Sequence, residues 1–194
     1  MSILLIAGSP SEPSRSVALL DAVAERLQRR HGAIERLNIR ELAPHALLLA
    51  DTGHPGIKAA LAQVARAQAL VVATPVYKAA YSGLLKVFLD LLPQTALKGK
   101  VVLPLATGGS PHHMLALDYA LRPVLQALSA RHILPGVYAT DTQVPRDVLG
   151  SYTIGDEIHT RLDDAVNLLF SEGLRLPAAT GFAPVPFNQV RCSV

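Results

Sequence analysis

The hydrophobic and polar positions along the chain form two patterns, short apolar runs and longer segments whose apolar residues recur at helical spacing. The apolar runs predict strands near residues 2–7, 33–39, 69–74, 100–106 and 133–138. The segments with helical spacing predict helices near residues 15–30, 56–67, 80–92, 111–129 and 154–171. Because strands and helices alternate, the chain is predicted to form parallel βαβ units with right-handed crossovers.

The second predicted strand differs from the others in its polar content. It interleaves Glu35, Arg36 and Asn38 with apolar residues, whereas the other strands are nearly all apolar. A charged strand suits the edge of a sheet, and an apolar strand suits its centre. We therefore expect an α/β fold with a doubly wound, five-stranded parallel sheet in the order 2-1-3-4-5 and helices on both faces.

The length of the chain indicates a single domain. A chain of 194 residues is long enough for one well-buried domain and short for two. We assign residues 1–173 to this domain. Residues 174–194 contain Pro177, Pro184 and Pro186, and we expect them to form an extended C-terminal arm or tail.

Composition narrows the class of protein. Half of the residues are apolar and 17% are charged, which excludes a disordered chain. The net charge is +3, but the Lys and Arg residues are scattered, so nucleic-acid binding has little support. No apolar run approaches the roughly 20 residues of a membrane span. The single cysteine, Cys192, allows no disulfide framework and no zinc spacing. We expect a cytoplasmic protein that binds neither nucleic acid nor membrane.

The loop after the first strand carries an unusual set of hydroxyl groups. Residues 8–16 read Gly-Ser-Pro-Ser-Glu-Pro-Ser-Arg-Ser and lead directly into a predicted helix. Hydroxyls, a helix N-terminus and a guanidinium together form a phosphate cradle, to which we assign Ser9, Ser14, Arg15 and Ser16. The alternative is that Ser14 or Ser16 is an ordinary N-cap. If the loop holds a phosphate, Glu12 must point away from it.

Two further loops reach the same edge of the predicted sheet. The loop after the third strand offers the flat face of Tyr77 and a positive charge, and the loop after the fourth strand offers paired glycines that let backbone approach a ligand. The alternative for each loop is that its residues simply form an ordinary turn and bind nothing. Taken with the phosphate loop, they describe a site for FMN, and its predicted residues are Pro75, Val76, Tyr77, Lys78, Thr107, Gly108, Gly109 and Ser110.

The motifs in these loops resemble a known family. Residues 8–16, Ala73–Gly83 and Leu105–Gly109 are similar to the NADPH-dependent FMN reductases of two-component alkanesulfonate monooxygenase systems, which are flavodoxin-like flavin reductases. The similarity spans roughly residues 2–140 and weakens towards the C-terminus. That family often has an arginine early in the phosphate loop, where this chain has Ser11 and Glu12.

The resemblance implies a function. NADPH would transfer a hydride to N5 of FMN, and the reduced flavin would leave to serve a partner monooxygenase in sulfur acquisition. No catalytic side chain is expected, because the flavin carries the chemistry. No metal is expected either, because the histidines show no ligand pattern. Two alternatives stay open, a quinone or azo reductase that retains FMN and a flavodoxin-like electron carrier. The sequence leaves the choice between NADPH and NADH open.

The fourth predicted helix contains a local conflict. Pro123 has no N–H group, so the carbonyl of Tyr119 loses its helical partner. A kink or π-bulge is the expected relief. The resemblance implies a π-turn beside the flavin at a tetramer interface, where we place Tyr119. The alternative is an ordinary proline kink with Tyr119 packed inside its own subunit.

Overall fold

The computed structural model describes residues 2–30, 33–130, 132–148 and 150–174. Beyond Leu174, the arm predicted for residues 174–194 lies outside the described residues. In the described ranges, no helix is both long enough and apolar enough to cross a membrane.

The described chain alternates strands and helices, as the hydrophobic pattern predicts. The strands are β1 (Ile3–Ala7), β2 (Ile34–Asn38), β3 (Ala69–Tyr77), β4 (Ala80–Tyr81), β5 (Val101–Gly108), β6 (His132–Ile133) and β7 (Val137–Thr140). The helices are α1 (Arg15–Gln28), α2 (Pro44–Leu48), α3 (Pro55–Arg66), α4 (Gly83–Leu89), α5 (Arg122–Ala127) and α6 (Asp156–Leu168). The short helix α2 is absent from the sequence-based prediction.

The sheet has the predicted doubly wound order. Its strands lie in the order β2-β1-β3-β5, with β6 and β7 both paired to the outer side of β5. All of these pairs are parallel, and the short β4 runs antiparallel to β3. The predicted order 2-1-3-4-5 is confirmed, with β5 as its fourth strand and with β6 and β7 sharing the fifth position.

Apolar residues cover both faces of the sheet. Alternate residues of β1 point to opposite faces, so Leu4 and Ile6 pack with α3 and α4, whereas Ile3 and Leu5 pack with α1 and α6. The central strands are buried along almost their whole length. Because helices cover both faces of the sheet, the loops that could bind a ligand meet at the carboxyl ends of the strands.

The helix predicted for residues 80–92 is wrong at its start. Strand β3 runs on to Tyr77, and the chain turns back through Lys78 and Ala79 into β4, so α4 begins at Gly83. The reason is a cap: the Ser82 side chain accepts a hydrogen bond from the N–H of Leu85 at 3.1 Å. Tyr81 therefore belongs to a strand rather than to the helix.

The strand predicted for residues 133–138 is divided, and two prolines account for the division: Pro135 lies in the segment itself, between β6 and β7, and Pro104 lies beside it in β5. Val101 donates its N–H to Gln68, on the β3 side, and the Val102 carbonyl accepts from Leu134, on the opposite side. The backbone N–H and C=O groups of successive residues point to opposite sides of a strand, so those of residue 104 also face β6 and β7. Because residue 104 is a proline, it has no N–H group to donate on that side. Pairing to β5 is lost between Val102 and Leu105 on this side.

The helix predicted for residues 111–129 is interrupted, as Pro123 requires. A 3₁₀ turn covers Pro111–Met114, a π-helix covers Leu117–Leu121, and α5 follows. The predicted irregularity around Tyr119 is thereby confirmed. A second π-helix, Leu169–Gly173, ends the helix predicted for residues 154–171.

Candidate functional site

The predicted loops meet in a cleft at the carboxyl edge of the sheet. The cleft has a volume of about 210 Å³ and lies where β1, β3 and β5 end. Its lining comes from four loops, of which three are those singled out in the sequence. The lining residues are Ser9, Ser11, Pro13, Ser14, Arg15, Pro75, Val76, Tyr77, Thr107, Gly108, Gly109, Asp141 and Tyr152.

Three predicted residues lie beside the cleft rather than in its lining. Ser16 is fully buried in the first turn of α1, with its hydroxyl 3.1 Å from the hydroxyl of Ser14. Lys78 occupies the exposed tip of the turn between β3 and β4. Ser110 accepts a hydrogen bond from the N–H of His112 and so caps the next turn. The other predicted residues line the cleft.

The phosphate loop ends at the N-terminus of α1, a helix of 14 residues. Ser14 holds the N-cap position by its backbone, but its side chain accepts no hydrogen bond from the first turn, and no acidic residue lies in that turn. The alternative of a simple serine cap is therefore wrong for the Ser14 side chain. Free first-turn N–H groups, a positive helix end and serine hydroxyls are the donors that a phosphate group requires.

Glu12 points away from the cleft, as a phosphate cradle demands. Its carboxylate forms an ion pair with the guanidinium of Arg40, which follows β2 in the chain. Both residues line a neighbouring groove on the β2 side of the loop. Because Arg40 offsets the negative charge, the loop presents mainly hydroxyl and N–H groups to the cleft. The sequence carried no signal that would have paired these two residues.

Arg15 is held in place by the loop that follows β7. Its Nε donates to the carbonyl oxygen of Val144 at 3.0 Å, and a terminal nitrogen lies 3.6 Å from the carboxylate of Asp141. The guanidinium carbon also lies 5.1 Å from the centre of the Tyr152 ring. These contacts orient the guanidinium at the cleft, and the terminal nitrogen that is not paired with Asp141 remains as the donor for an anionic ligand.

The turn between β3 and β4 forms the second wall of the cleft. Lys78 and Ala79 both have positive φ values, 50° and 62°, as a tight hairpin turn of two residues demands. Such values are unfavourable for residues other than glycine, and strain of this kind is concentrated at binding and active sites. The side chain of Tyr77 stays 46% exposed beside the cleft. An aromatic side chain at this position fits the planar ring of a flavin.

The third wall depends on close packing between Gly108 and Tyr138. A Cβ atom at Gly108 would lie 2.7 Å from the Tyr138 hydroxyl, so this position has no room for a side chain. The Tyr138 hydroxyl donates to the carbonyl of Ser110 at 2.6 Å. Burial raises the pKa of Tyr138, and the nearby Asp141 adds to the shift. The phenol therefore stays protonated and holds the 108–110 loop in position.

Asp141 and Tyr152 are lining residues that the sequence-based prediction missed. Asp141 comes directly after β7, so its position at the carboxyl edge was a signal that the sequence did contain. Tyr152 precedes α6 and carried no such signal. In the described ranges, no group of three or more His, Cys, Asp and Glu side chains is placed to hold a metal ion.

Comparison with known proteins identifies the family of the chain. The model of the NADPH-dependent FMN reductase family matches residues 1–144. An FMN reductase (NADPH) of Escherichia coli (strain K12) is 50% identical over 166 residues, which is 86% of each chain. An FMN reductase (NADPH) of Pseudomonas putida is 49% identical over 144 residues, which is 74% of this chain and 73% of the relative.

A solved structure shows the same fold. The apo form of the NADH:FMN oxidoreductase EMOB matches with a TM-score of 0.77 at 41% identity, and the match covers 86% of both chains. The family match covers most of this chain and includes the three predicted loops. FMN and NADPH are therefore its substrates, and the chain is an oxidoreductase that belongs to the NADPH-dependent FMN reductase family.

Proposed function

We propose that the cleft at the carboxyl edge of the sheet is the site where NADPH reduces FMN, and that reduced FMN leaves to serve a sulfonate monooxygenase. The observation that carries the site is the uncapped N-terminus of α1, which opens beside the Tyr77 wall within one cleft. The cytoplasm is the compartment that we expect for this reaction, since the single Cys192 suits a reducing environment.

The phosphate end of FMN is assigned to the first loop. The hydroxyls of Ser9 and Ser14, the first N–H groups of α1 and the guanidinium of Arg15 would bind the phosphate. Ser16 would contribute indirectly, because its buried hydroxyl bonds to that of Ser14 and orients it. This division explains why Ser16 is part of the cradle although it does not line the cleft.

The ring end of FMN is assigned to the other two walls. Residues Pro75–Lys78 would pack against the ring, and the backbone of Thr107–Ser110 would donate to its carbonyl side. When bound, FMN accepts the hydride and supplies the redox chemistry. The role of the protein is to orient the ring, to exclude water from one face and to stabilise negative charge with N–H groups. No acid or base side chain is required.

The exposure of Tyr77 favours release of flavin over its retention. With 46% of this side chain exposed, the ring wall lies at the surface rather than in a closed pocket. A flavin that binds there can exchange with solution, as a substrate must. This supports supply of reduced FMN to a partner, and it argues against the alternatives of a quinone or azo reductase and of an electron carrier.

The same proposal includes a tetramer with Tyr119 near an interface. Tyr119 is 79% exposed and lies in the π-helix, and Leu115, just before the π-helix, is about half exposed. Tyr119 thus does not pack inside its own subunit. A cluster of exposed apolar side chains is typical of a surface that contacts another subunit.

Steady-state kinetics tests this function. With NADPH fixed and free FMN varied, we expect saturation by FMN and protein that loses its flavin on gel filtration. Tightly retained flavin with activity confined to quinones would instead support the alternative. Adding an FMNH2-dependent alkanesulfonate monooxygenase together with an alkanesulfonate and O2 should then produce sulfite in proportion to NADPH oxidised, and a failure to do so would count against the proposed partner.

A further inference from the structure

A second cavity lies across a thin wall from the flavin cleft. It has a volume of about 350 Å³. Its wall is the chain that leaves β7: Asp141 lines the flavin cleft, whereas its neighbours Thr140 and Thr142 line the second cavity. The lining residues are Pro111, Met114, Leu117, Asp118, Gly136, Tyr138, Thr140, Thr142, Gln143 and Arg161.

Arg161 makes this cavity attractive to an anion. Its side chain projects from α6, and one terminal nitrogen donates to the carbonyl oxygen of Tyr138 at 3.0 Å. Within the described part of the chain, no carboxylate forms a salt bridge with it. A guanidinium has five N–H donors in a fixed fork, so most of those of Arg161 remain for a ligand.

The rest of the lining suits an aromatic ring that carries a phosphate. Pro111, Met114 and Leu117 form an apolar side, while Thr140 and Thr142 offer hydroxyls. The acidic side chain in the lining, Asp118, is already paired with Arg122 at 2.9 Å and so does not offset Arg161.

The groove on the β2 side of the phosphate loop is less suited to an anion. It contains Arg36 and Arg40, but Asp21 and Glu12 pair with them, and Glu41 adds a third carboxylate. The charges of these residues sum to a negative value, which opposes binding of a phosphate. The arginines of this groove are thus paired with carboxylates, whereas no carboxylate of the described residues pairs with Arg161 in the second cavity.

We propose that the second cavity binds the adenosine 2′-phosphate end of NADPH, with Arg161 on the phosphate and the apolar side against adenine. The proposal rests on the proposed placement of FMN, because a dinucleotide whose nicotinamide lies over the ring must extend its other end past the cleft. The wall at Asp141 is the boundary that such a ligand would cross. Since the 2′-phosphate distinguishes NADPH from NADH, Arg161 becomes a residue that determines coenzyme preference.

Calorimetry with adenosine 2′,5′-bisphosphate tests the proposal without turnover. We expect the wild type to bind this probe more tightly than ADP, and Arg161→Gln to lose about ten- to a hundredfold in affinity for it, the scale of a charge-assisted hydrogen bond. Arg29→Gln is the matched control, because it removes the same charge from an exposed position at the end of α1. Absence of binding by the wild type would overturn the proposal, as would equal affinities in all three proteins.

Arg161→Gln also removes the hydrogen bond to the Tyr138 carbonyl in β7, so a second variant is needed that changes the charge of the cavity and keeps this bond. Thr142→Asp adds a carboxylate to the cavity lining and leaves that bond in place. We expect it to weaken the bisphosphate and to raise the KM for NADPH about tenfold, with the KM for NADH unchanged. Unchanged KM values for both coenzymes would contradict the proposal.

Flavin titration separates this proposal from the proposed flavin site. If the bisphosphate binds as expected but Arg15→Ala weakens FMN and riboflavin equally, the placement of the flavin phosphate is wrong and the Arg161 site stands. If Arg15→Ala is selective for FMN but neither cavity variant affects the bisphosphate, the flavin site stands and the Arg161 site is wrong.

Discussion

The hydroxyl of Ser82 donates a hydrogen bond to the carbonyl oxygen of Gly8, and this bond joins the N-cap of α4 to the first residue of the phosphate loop. The N–H of Ser82 in turn donates to the hydroxyl of Thr74 at 2.9 Å. All three groups are buried beneath the cleft. The floor of the site is therefore a connected set of bonds between two loops that are far apart in sequence.

Loss of the Ser82 hydroxyl should destabilise the fold. Ser82→Ala removes the cap of α4 and one donor to a buried carbonyl, so we expect about 1–3 kcal/mol less free energy of unfolding. Urea denaturation measures the change. The control is Ser171→Ala, since that exposed hydroxyl makes only a long 3.4 Å bond to the Leu168 carbonyl. Equal effects of the two substitutions would mean that the bond to Gly8 contributes little.

Arg15 should discriminate between flavins with and without a phosphate. We expect Arg15→Ala to weaken FMN by about 1.5–3 kcal/mol, the scale of a charge-assisted bond, and to leave riboflavin almost unchanged. Titrations that follow flavin fluorescence give both affinities. Arg66→Ala serves as the control, because Arg66 pairs with Glu35 at the surface and does not line the cleft. Equal losses for both flavins would refute the assignment.

Tyr77 should contribute to flavin affinity without supporting the fold. Tyr77→Ala removes a half-exposed aromatic surface, which should cost about 1–3 kcal/mol of FMN binding. The melting temperature should stay close to that of the wild type, because the side chain is exposed. Tyr77→Phe keeps the ring and should keep most of the affinity. If the alanine variant binds FMN as the wild type does, the ring is not packed against Tyr77.

Gly108 and Gly109 should respond differently to the same substitution. Gly108→Ala places a Cβ 2.7 Å from the Tyr138 hydroxyl, so we expect a loss of about 1–3 kcal/mol in stability. Gly109→Ala is the control, since its Cβ would come no closer than 3.8 Å to Asp141. Adding Tyr138→Phe to Gly108→Ala should recover part of the loss. Without such recovery in denaturant melts, the clash is not with the hydroxyl.

Deletion of Tyr119 should change the assembly. Removing Tyr119 should change the path of the π-helix Leu117–Leu121 ahead of Pro123 and should remove its one tyrosine, a side chain that is 79% exposed. We expect tetramers to dissociate towards dimers and FMN to become harder to release. Analytical sedimentation and the flavin content of purified protein measure both. An unchanged oligomer that purifies without flavin and is fully active would show that Tyr119 has no role in the interface.

Much of the fold follows from where charge interrupts the apolar pattern. Glu35 and Arg36 identified β2 as an edge strand, and this set the order of the sheet. The pattern failed at residues 80–82, because Tyr81 suits a helix and a strand equally and the cap at Ser82 decided between them. It also failed at residues 133–138, although Pro135 and Gly136 within that segment are themselves a signal for a break, which Pro104 in the neighbouring strand reinforces.

The candidate site was predictable where a loop carried its own chemistry. Serines, a tyrosine and paired glycines are visible in the sequence, and their loops meet as expected. Contacts between distant segments were not predictable: Arg40 reaches Glu12, and Val144 holds Arg15, only because the fold places them together. The contact between the hydroxyls of Ser16 and Ser14 likewise depends on which face of α1 is buried.

The break between β6 and β7 has a consequence for how the protein behaves at high concentration. An outer strand that is long and continuous offers a row of free backbone groups to which another molecule can add a strand, and this leads to aggregation. Here β6 and β7 are short and separated, so no long template forms on that side. The opposite side is protected differently, by the charges of Glu35 and Arg36 on β2. The two prolines at this break, Pro104 and Pro135, thus help to keep separate molecules from joining their sheets.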